Sequence, residues 1–146
     1  MKSTLCRVFA ILLLWTTVAC TDRVANKVDP IQVPPGGFLY RGYDESGREA
    51  VTGWLLFSSE TGESVTGTWE LQQVGAPGNI GPQIGRGSFE GSRGDQGTVG
   101  VNLNPDRFDD NVFLSGRLQG DVYSGRWSHS GFEGVLRDGT FDARRQ

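Results

Sequence analysis

His129 is the one histidine of the chain, and Cys6 and Cys20 are its two thiols. These are the side chains best suited to act as base, nucleophile or soft metal ligand near neutral pH. A structural or catalytic zinc ion takes at least three such ligands. His129, with no cysteine near it in sequence, does not supply them, and no metal is expected. A Ser-His-Asp arrangement would draw on Ser128 or Ser130 and an acid such as Asp121. Consecutive strand residues point to opposite faces, so neither serine shares a face with His129. His129 falls in phase with Trp127, which predicts a place at the end of a strand, on the rim of the sheet, without a catalytic role.

The acids offer two further chemistries. In the run Asn104-Pro105-Asp106-Arg107-Phe108-Asp109-Asp110-Asn111, the carboxylates of Asp106, Asp109 and Asp110 could give oxygens to calcium. The spacing lacks the central Gly and final Glu of the twelve-residue calcium loop. Asn, Pro and Asp also serve the backbone of a long hairpin turn, which is the preferred reading. Paired carboxylates for glycoside cleavage would need two acids facing one cleft, and the inward positions assigned below hold none. Gly85-Arg86-Gly87 and Gly91-Ser92-Arg93-Gly94 are not phosphate loops, since no Lys-Ser/Thr opens a helix after them. No catalytic residue and no cofactor is expected.

Cys20 is the residue whose setting says most. Lys2 and Arg7 precede the apolar stretch Val8 to Trp15, and Thr16-Thr17-Val18-Ala19-Cys20 follows it. The stretch is short of the ~20 residues of a spanning helix. A basic start, a short apolar run and a small residue before the cut make the layout of a secretory signal. With Ala19 just before Cys20, the segment resembles the lipobox of bacterial lipoproteins, although Thr17 stands where that family prefers Leu. The resemblance covers the first twenty residues. It implies a diacylglyceryl group on the Cys20 thiol, cleavage after residue 19, and attachment to a membrane by several acyl chains. The family's sorting pattern, with Thr21 and not Asp after the lipidated Cys, implies the outer membrane in a cell that has two. The alternative is an ordinary secretory signal that leaves Cys20 free. Residues 20–35, ending Val33-Pro34-Pro35, lack a period and read as an extended tether, or in part as a docked edge strand. At ~3.3 Å per residue the tether reaches about 50 Å.

Composition narrows the rest. Loss of Lys2 and Arg7 with the signal moves the formal charge from −3 to −5, since all 17 acids follow Cys20. This acidity argues against a nucleic-acid partner, which would need a basic patch. Cys6 leaves with the signal, so no disulfide is available within the mature chain. Residues 36–146 suffice for one domain.

All 22 glycines also follow Cys20, among short alternating runs of Val, Thr, Phe, Trp and Tyr. That pattern predicts an all-β domain of antiparallel strands. Strands are expected near 38–43, 50–58, 64–74, 85–92, 97–104, 111–119, 122–129 and 139–145, with a ninth at 132–136. One motif recurs: large residue, Gly two later, large residue two after that. It occurs at Val51-Gly53-Leu55, Val65-Gly67-Trp69, Leu114-Gly116-Leu118, Tyr123-Gly125-Trp127 and Phe132-Gly134-Leu136. The three positions share a face, so glycine sits mid-face in a crowded, strongly curved sheet.

Registers follow. A two-residue turn at Gly120-Asp121 pairs Leu118 with Tyr123, Gly116 with Gly125 and Leu114 with Trp127. A loop from Ser58 to Ser64 would set Phe57 against Val65, Leu55 against Gly67 and Gly53 against Trp69. Trp54, out of phase, faces outward. The stretch Gly75 to Gly85 reads as a connector, or else as a flap over a barrel mouth. A single meander of eight or nine strands closes into a barrel and hides its edges; an open curled sheet is the alternative.

Gly67-Thr68-Trp69 and Gly125-Arg126-Trp127 give this part a weak similarity to avidins and lipocalins, whose small barrels carry a Gly-x-Trp strand. The similarity implies a barrel, and a terminal Arg144-Arg145 placed over a Trp as lipocalins place theirs. The leading functional expectation is a lipid-anchored, non-catalytic binding or structural module of the cell envelope, meeting an envelope protein or cell-wall polymer. The alternatives are a small-molecule carrier of avidin or lipocalin type, with a cavity lined by Trp69, Trp127, Tyr123 and Phe89, and a carboxylate-dependent hydrolase.

Overall fold

The computed structural model describes residues 30–78 and 80–146, without the side chains of residues 59–61. The signal peptide, Cys20 and the first part of the tether lie outside the described residues. Residues 30–37 form no strand, and Gly37 N–H closes a turn onto the Pro34 carbonyl at 2.8 Å.

Eight strands follow: β1 Phe38–Tyr43, β2 Glu49–Thr61, β3 Ser64–Gln73, β4 Gly85–Arg93, β5 Thr98–Asn102, β6 Asn111–Gln119, β7 Val122–Gly131 and β8 Gly134–Arg145. Each pairs antiparallel with the next, and β1 pairs with β8, Phe38 opposite Arg145, to close the barrel. A closed sheet has no free edge, so the row of backbone groups that an open sheet exposes is absent.

The interior is packed with side chains. Tyr40, Tyr123, Phe38 and Phe89 are fully buried, and Phe57 lies edge-on to Phe38, Phe89 and Tyr123 at centroid distances of 5.5, 5.1 and 6.0 Å. Tyr40 stacks on Phe141 at 5.6 Å. Eight strands enclose just enough space for such filling. The glycine motif explains how so many rings fit. A Cβ on Gly67 would lie 2.6 Å from Phe89 Cε1, and one on Gly125 would lie 2.5 Å from Gly116 Cα. Where a ring or the facing backbone occupies the Cβ position, only glycine is accommodated.

The β6–β7 register is as expected: Leu118 with Tyr123, Gly116 with Gly125, Leu114 with Trp127. Ser115, Arg117, Ser124 and Arg126 are exposed on the opposite face. The β2–β3 register differs. Phe57 faces Gly67, Leu55 faces Trp69 and Gly53 faces Leu71, because both strands continue to a two-residue turn at Gly62-Glu63 and a bulge sits between Phe57 and Ser59. The offset from the expected register is two residues, so every side chain keeps its face.

No ninth strand forms among the described residues. Residues 134–136 are the start of β8, which runs unbroken to Arg145 and turns back from β7 through Phe132-Glu133. A bulge between His129 and Ser130 redirects this hairpin end, which stands beyond the barrel wall. Phe132, Gly134 and Leu136 are therefore exposed, not inward. Trp54 sits half-buried on the outer surface.

The barrel has two unlike ends. The end that receives the tether has short turns and a plug. Arg145 lies over the Phe38 ring at 4.5 Å, donates to Asp121 Oδ1 at 3.1 Å and to the Gly36 carbonyl at 3.3 Å. The terminal arginine thus covers a phenylalanine and not a tryptophan: Trp69 and Trp127 lie toward the other end, where both indoles are occupied by backbone. That opposite end carries the long connections, residues 44–48, 74–84 and 103–110.

Candidate functional site

The loop-bearing end is organised by the two copies of the Gly-x-Trp motif. The Trp69 indole lies over Gly87 of the adjacent strand β4 and donates to the Leu103 carbonyl, just past β5, at 2.8 Å. The Trp127 indole lies over Gly139 of β8 and donates to the Tyr43 carbonyl, at the end of β1, at 2.8 Å. Each tryptophan spans a glycine and ties down the strand beyond it. The two braces are four strands apart in an eight-stranded barrel, so they stand on opposite sides of the mouth. A buried indole N–H needs an acceptor, and here the acceptor is the chain end that the brace fixes.

Over this mouth lie residues 74–78 and 80–84. They form a flap and not a bare connector, contrary to the preferred reading of their sequence. Ile80 and Gln83 are buried, and the Asn104 side chain donates to the Pro82 carbonyl at 3.1 Å. Gly81, at φ +68°, sits flat on the His129 ring, where a Cβ would come within 2.5 Å of Cγ. A positive φ with no room for a side chain requires glycine. Gln83 donates to the Ile80 carbonyl at 2.5 Å, which folds the flap on itself.

His129 is thus beneath the flap, not on an open rim. It is at the end of β7, as its phase with Trp127 implies, but it is buried. Its partner comes from the acidic run: Asp110 Oδ1 lies 2.5 Å from Nε2. In a neutral ring the proton that faces a carboxylate is on Nε2, which leaves Nδ1 as the acceptor. Nδ1 has no hydrogen-bond partner among the described residues, and neither do Gln83 Oε1 and the Tyr40 hydroxyl. Among the described residues no serine hydroxyl bonds to His129. Asp121, the acid that a Ser-His-Asp arrangement would draw on, lies at the far end in the β6–β7 turn.

The rest of the acidic run builds its own loop. Asn104 Oδ1 accepts the Val112 N–H at 3.2 Å, Asn111 Nδ2 donates to the Arg107 carbonyl at 3.2 Å, and Asp109 Oδ1 accepts the Asp110 N–H at 2.8 Å. Asp110 adopts φ +66° and uses its second oxygen on Arg107 at 3.1 Å. These are turn contacts, and among the described residues no three His, Cys, Asp or Glu side chains are grouped to hold a metal ion. No Asp or Glu is buried among the residues whose burial is described; Asp44, Glu45 and Asp138 stand instead along a cleft at the mouth.

Two clefts flank the flap. One, of about 220 Å³, lies between Trp69, Pro82, Ile84 and residues 103–107. The larger, of about 340 Å³, lies between the 44–48 turn, Gly78 and Ile80 of the flap, Trp127, Arg137 and Asp138. That volume is in the range of small-ligand pockets. Its charged residues divide into two kinds. Asp44 and Arg48 are paired with each other, and Asp138 with Arg126. Bonds from the Ser46 hydroxyl and then the Arg48 N–H hold the Asp44 carboxyl down at about 2. Arg137 and Glu45 have no ionic partner among the described residues. Arg137 sits opposite His129 across the β7–β8 ladder, at the lip of the mouth.

Deep inside, burial pushes the Tyr40 and Tyr123 hydroxyls well above the usual phenol range. Tyr123 is satisfied by the Val99 and Leu114 carbonyls at 3.1 and 3.3 Å. Trp69, Trp127, Tyr123 and Phe89 all belong to the packed core, and the two indoles also border the clefts, Trp69 the smaller and Trp127 the larger.

No family model, curated protein or solved structure matches this chain. In strand number, direction and order the barrel is of the small closed kind that avidins and lipocalins also use.

Proposed function

We propose that this domain is a non-catalytic binding module that takes a small carboxylate-bearing ligand at the mouth of the barrel. The observation that carries the reading is the cleft of about 340 Å³ with a guanidinium, Arg137, that has no ionic partner among the described residues, beside the buried Trp127 and the flap residue Ile80. An arginine without an acid partner, at the lip of a partly apolar cleft, is suited to bidentate recognition of a carboxylate. The packed interior favours binding at the mouth over the deep chamber of a carrier. The reading is non-catalytic because His129 and Asp110 have no nucleophile and their bond supports the flap instead. A lipid on Cys20 would hold the module on a membrane of the cell envelope, the outer one in a two-membrane cell, where envelope proteins and wall polymer are within reach of the tether.

The test is a titration with N-acetylglycine and glucuronic acid, each beside its amide, followed through the indole N–H signal of Trp127. Saturable shifts by the acids and not the amides are expected. Arg137→Ala should weaken binding at least ~10-fold, since hydrogen bonds to charged groups contribute about 1.5–3 kcal/mol. Equal response to acid and amide, or unchanged affinity in Arg137→Ala, refutes the reading.

A further inference from the structure

Two phenylalanines stand in solvent at the loop-bearing end and touch each other. Phe108, on the 103–110 loop, is 93% exposed, and Phe132, in the β7–β8 turn, is 79% exposed. Their ring centroids are 5.8 Å apart. Val135 and Leu136, at 66% and 42% exposure, lie on the same hairpin. Neither phenylalanine serves its own segment. A two-residue turn selects Gly, Asn or Asp, and the 103–110 loop is held by its Asn and Asp contacts without the Phe108 ring. Isolated exposed apolar residues need no explanation, but a contiguous apolar cluster does.

The cluster is also held in place. The Asp110–His129 bond links the loop of Phe108 to the strand that leads to Phe132. The Leu136 side chain lies 3.2 Å from where a Cβ of Gly131 would be, and Asp109 Oδ1 lies 3.4 Å from the same point. A preorganised aromatic pair loses little conformational freedom on binding.

The surroundings select the occupant. Asp106, Asp109 and Asp110 flank Phe108, and Glu133 follows Phe132. Of the two cations nearest the cluster in sequence, Arg107 is engaged by Asp110 at 3.1 Å and Arg137 follows Leu136; Asp106, Asp109, Asp110 and Glu133 outnumber them, so the rim stays acidic. An acidic rim opposes an anionic lipid surface, which attracts basic segments. A second copy of the same patch would bring acid against acid.

We propose that Phe108 and Phe132 form a docking knob for a protein partner whose apolar socket is ringed by lysine or arginine. Aromatic side chains at the centre of an interface carry much of its binding energy, and a charged rim sets the pairing. The knob is separate from the Arg137 cleft and does not depend on a ligand there.

The experiment uses the full chain with a stated probe, a short peptide alternating Leu and Lys, beside its Leu/Glu counterpart. Vesicles of neutral and of anionic lipid, and sedimentation of the protein alone, complete the set. The Leu/Lys peptide should bind, at least 10-fold more weakly to the Phe108→Ser/Phe132→Ser variant. Both side chains are exposed, so this variant should keep its melting temperature. Glu133→Gln with Asp106→Asn should weaken the same peptide while leaving the rings intact. Absence of binding, equal binding by the double-serine variant or equal binding of the Leu/Glu peptide overturns the proposal. So does vesicle binding, or self-association, that the double-serine variant loses.

Discussion

Gly125→Ala tests whether the crowding of the barrel wall is what reserves its inward glycines. An alanine Cβ at this position would lie 2.5 Å from the Gly116 Cα, with the Ser115 carbonyl closer still. Carbon atoms in contact prefer about 3.5–4.0 Å. The pair β6–β7 would have to part locally by about 1 Å, and both obstacles are backbone, so no rotamer change gives relief. Overpacking by a single added carbon costs about 1–3 kcal/mol, occasionally more; with backbone on both sides the upper end, about 3 kcal/mol, is expected. For a domain of this size that lowers the melting temperature by roughly 10–20 °C. Gly100→Ala is the matched control. Its Cβ meets nothing nearer than the Leu114 carbonyl at 4.0 Å, and its φ is not positive, so its effect should stay within about 0.5 kcal/mol. The assay is thermal and urea unfolding of both variants beside the parent chain. A Gly125→Ala chain as stable as the parent, or a Gly100→Ala chain equally weakened, would show that the glycines are not there for space.

Trp127→Phe should cost about 1–3 kcal/mol, because it strands the Tyr43 carbonyl; Trp69→Phe should do the same at Leu103, and the two losses should add within ~0.5 kcal/mol, since the braces are on opposite sides of the barrel. Gly81→Ala should lift the flap from His129, read as faster hydrogen exchange of the described residues 80–84 with little change at β6 and β7. The Asp44 carboxyl should titrate with a midpoint of about 2 by carbon NMR. Because that value is depressed from 3.8, the turn's extra stability is present above the ordinary carboxylate value and is lost as pH falls toward 2. Ser46→Ala, which removes the largest cause, should raise the midpoint. Mass spectrometry of membrane-extracted protein should find a mature chain beginning at acylated Cys20; a soluble mature form beginning elsewhere refutes the lipobox reading.

Much of the barrel was legible because two of its determinants are local. Alternation with period two marks Tyr123, Gly125 and Trp127 as one face whatever the partner strand. A two-residue turn at Gly120-Asp121 then leaves one register that keeps Leu114 and Leu118 on the same side. The β2–β3 pair shows where local reasoning ends. Its faces were readable, but the bulge before Ser59 and the continuation to Gly62-Glu63 depend on what curvature the closed sheet requires. The hairpin end at Phe132, Gly134 and Leu136 repeats the inward motif and yet stands in solvent, because the bulge after His129 carries it past the rim.

The candidate site was least legible for the same reason. His129 and Asp110 are 19 residues apart on different elements, and their pairing exists because closure of β6 against β7 returns the acidic loop over the end of β7. The flap gave a sign only in Gly81 and the apolar Ile80; its position over the mouth follows from the barrel having a mouth to cover. Alternation, turn chemistry and glycine placement by themselves determined an all-β meander with a crowded inner face, since each acts over a few residues. Closure, the bulges after Phe57 and His129, the burial of His129 and the meeting of Phe108 with Phe132 were decided by tertiary structure. Each is a contact between segments distant in sequence, set by the strand stagger that shuts the barrel.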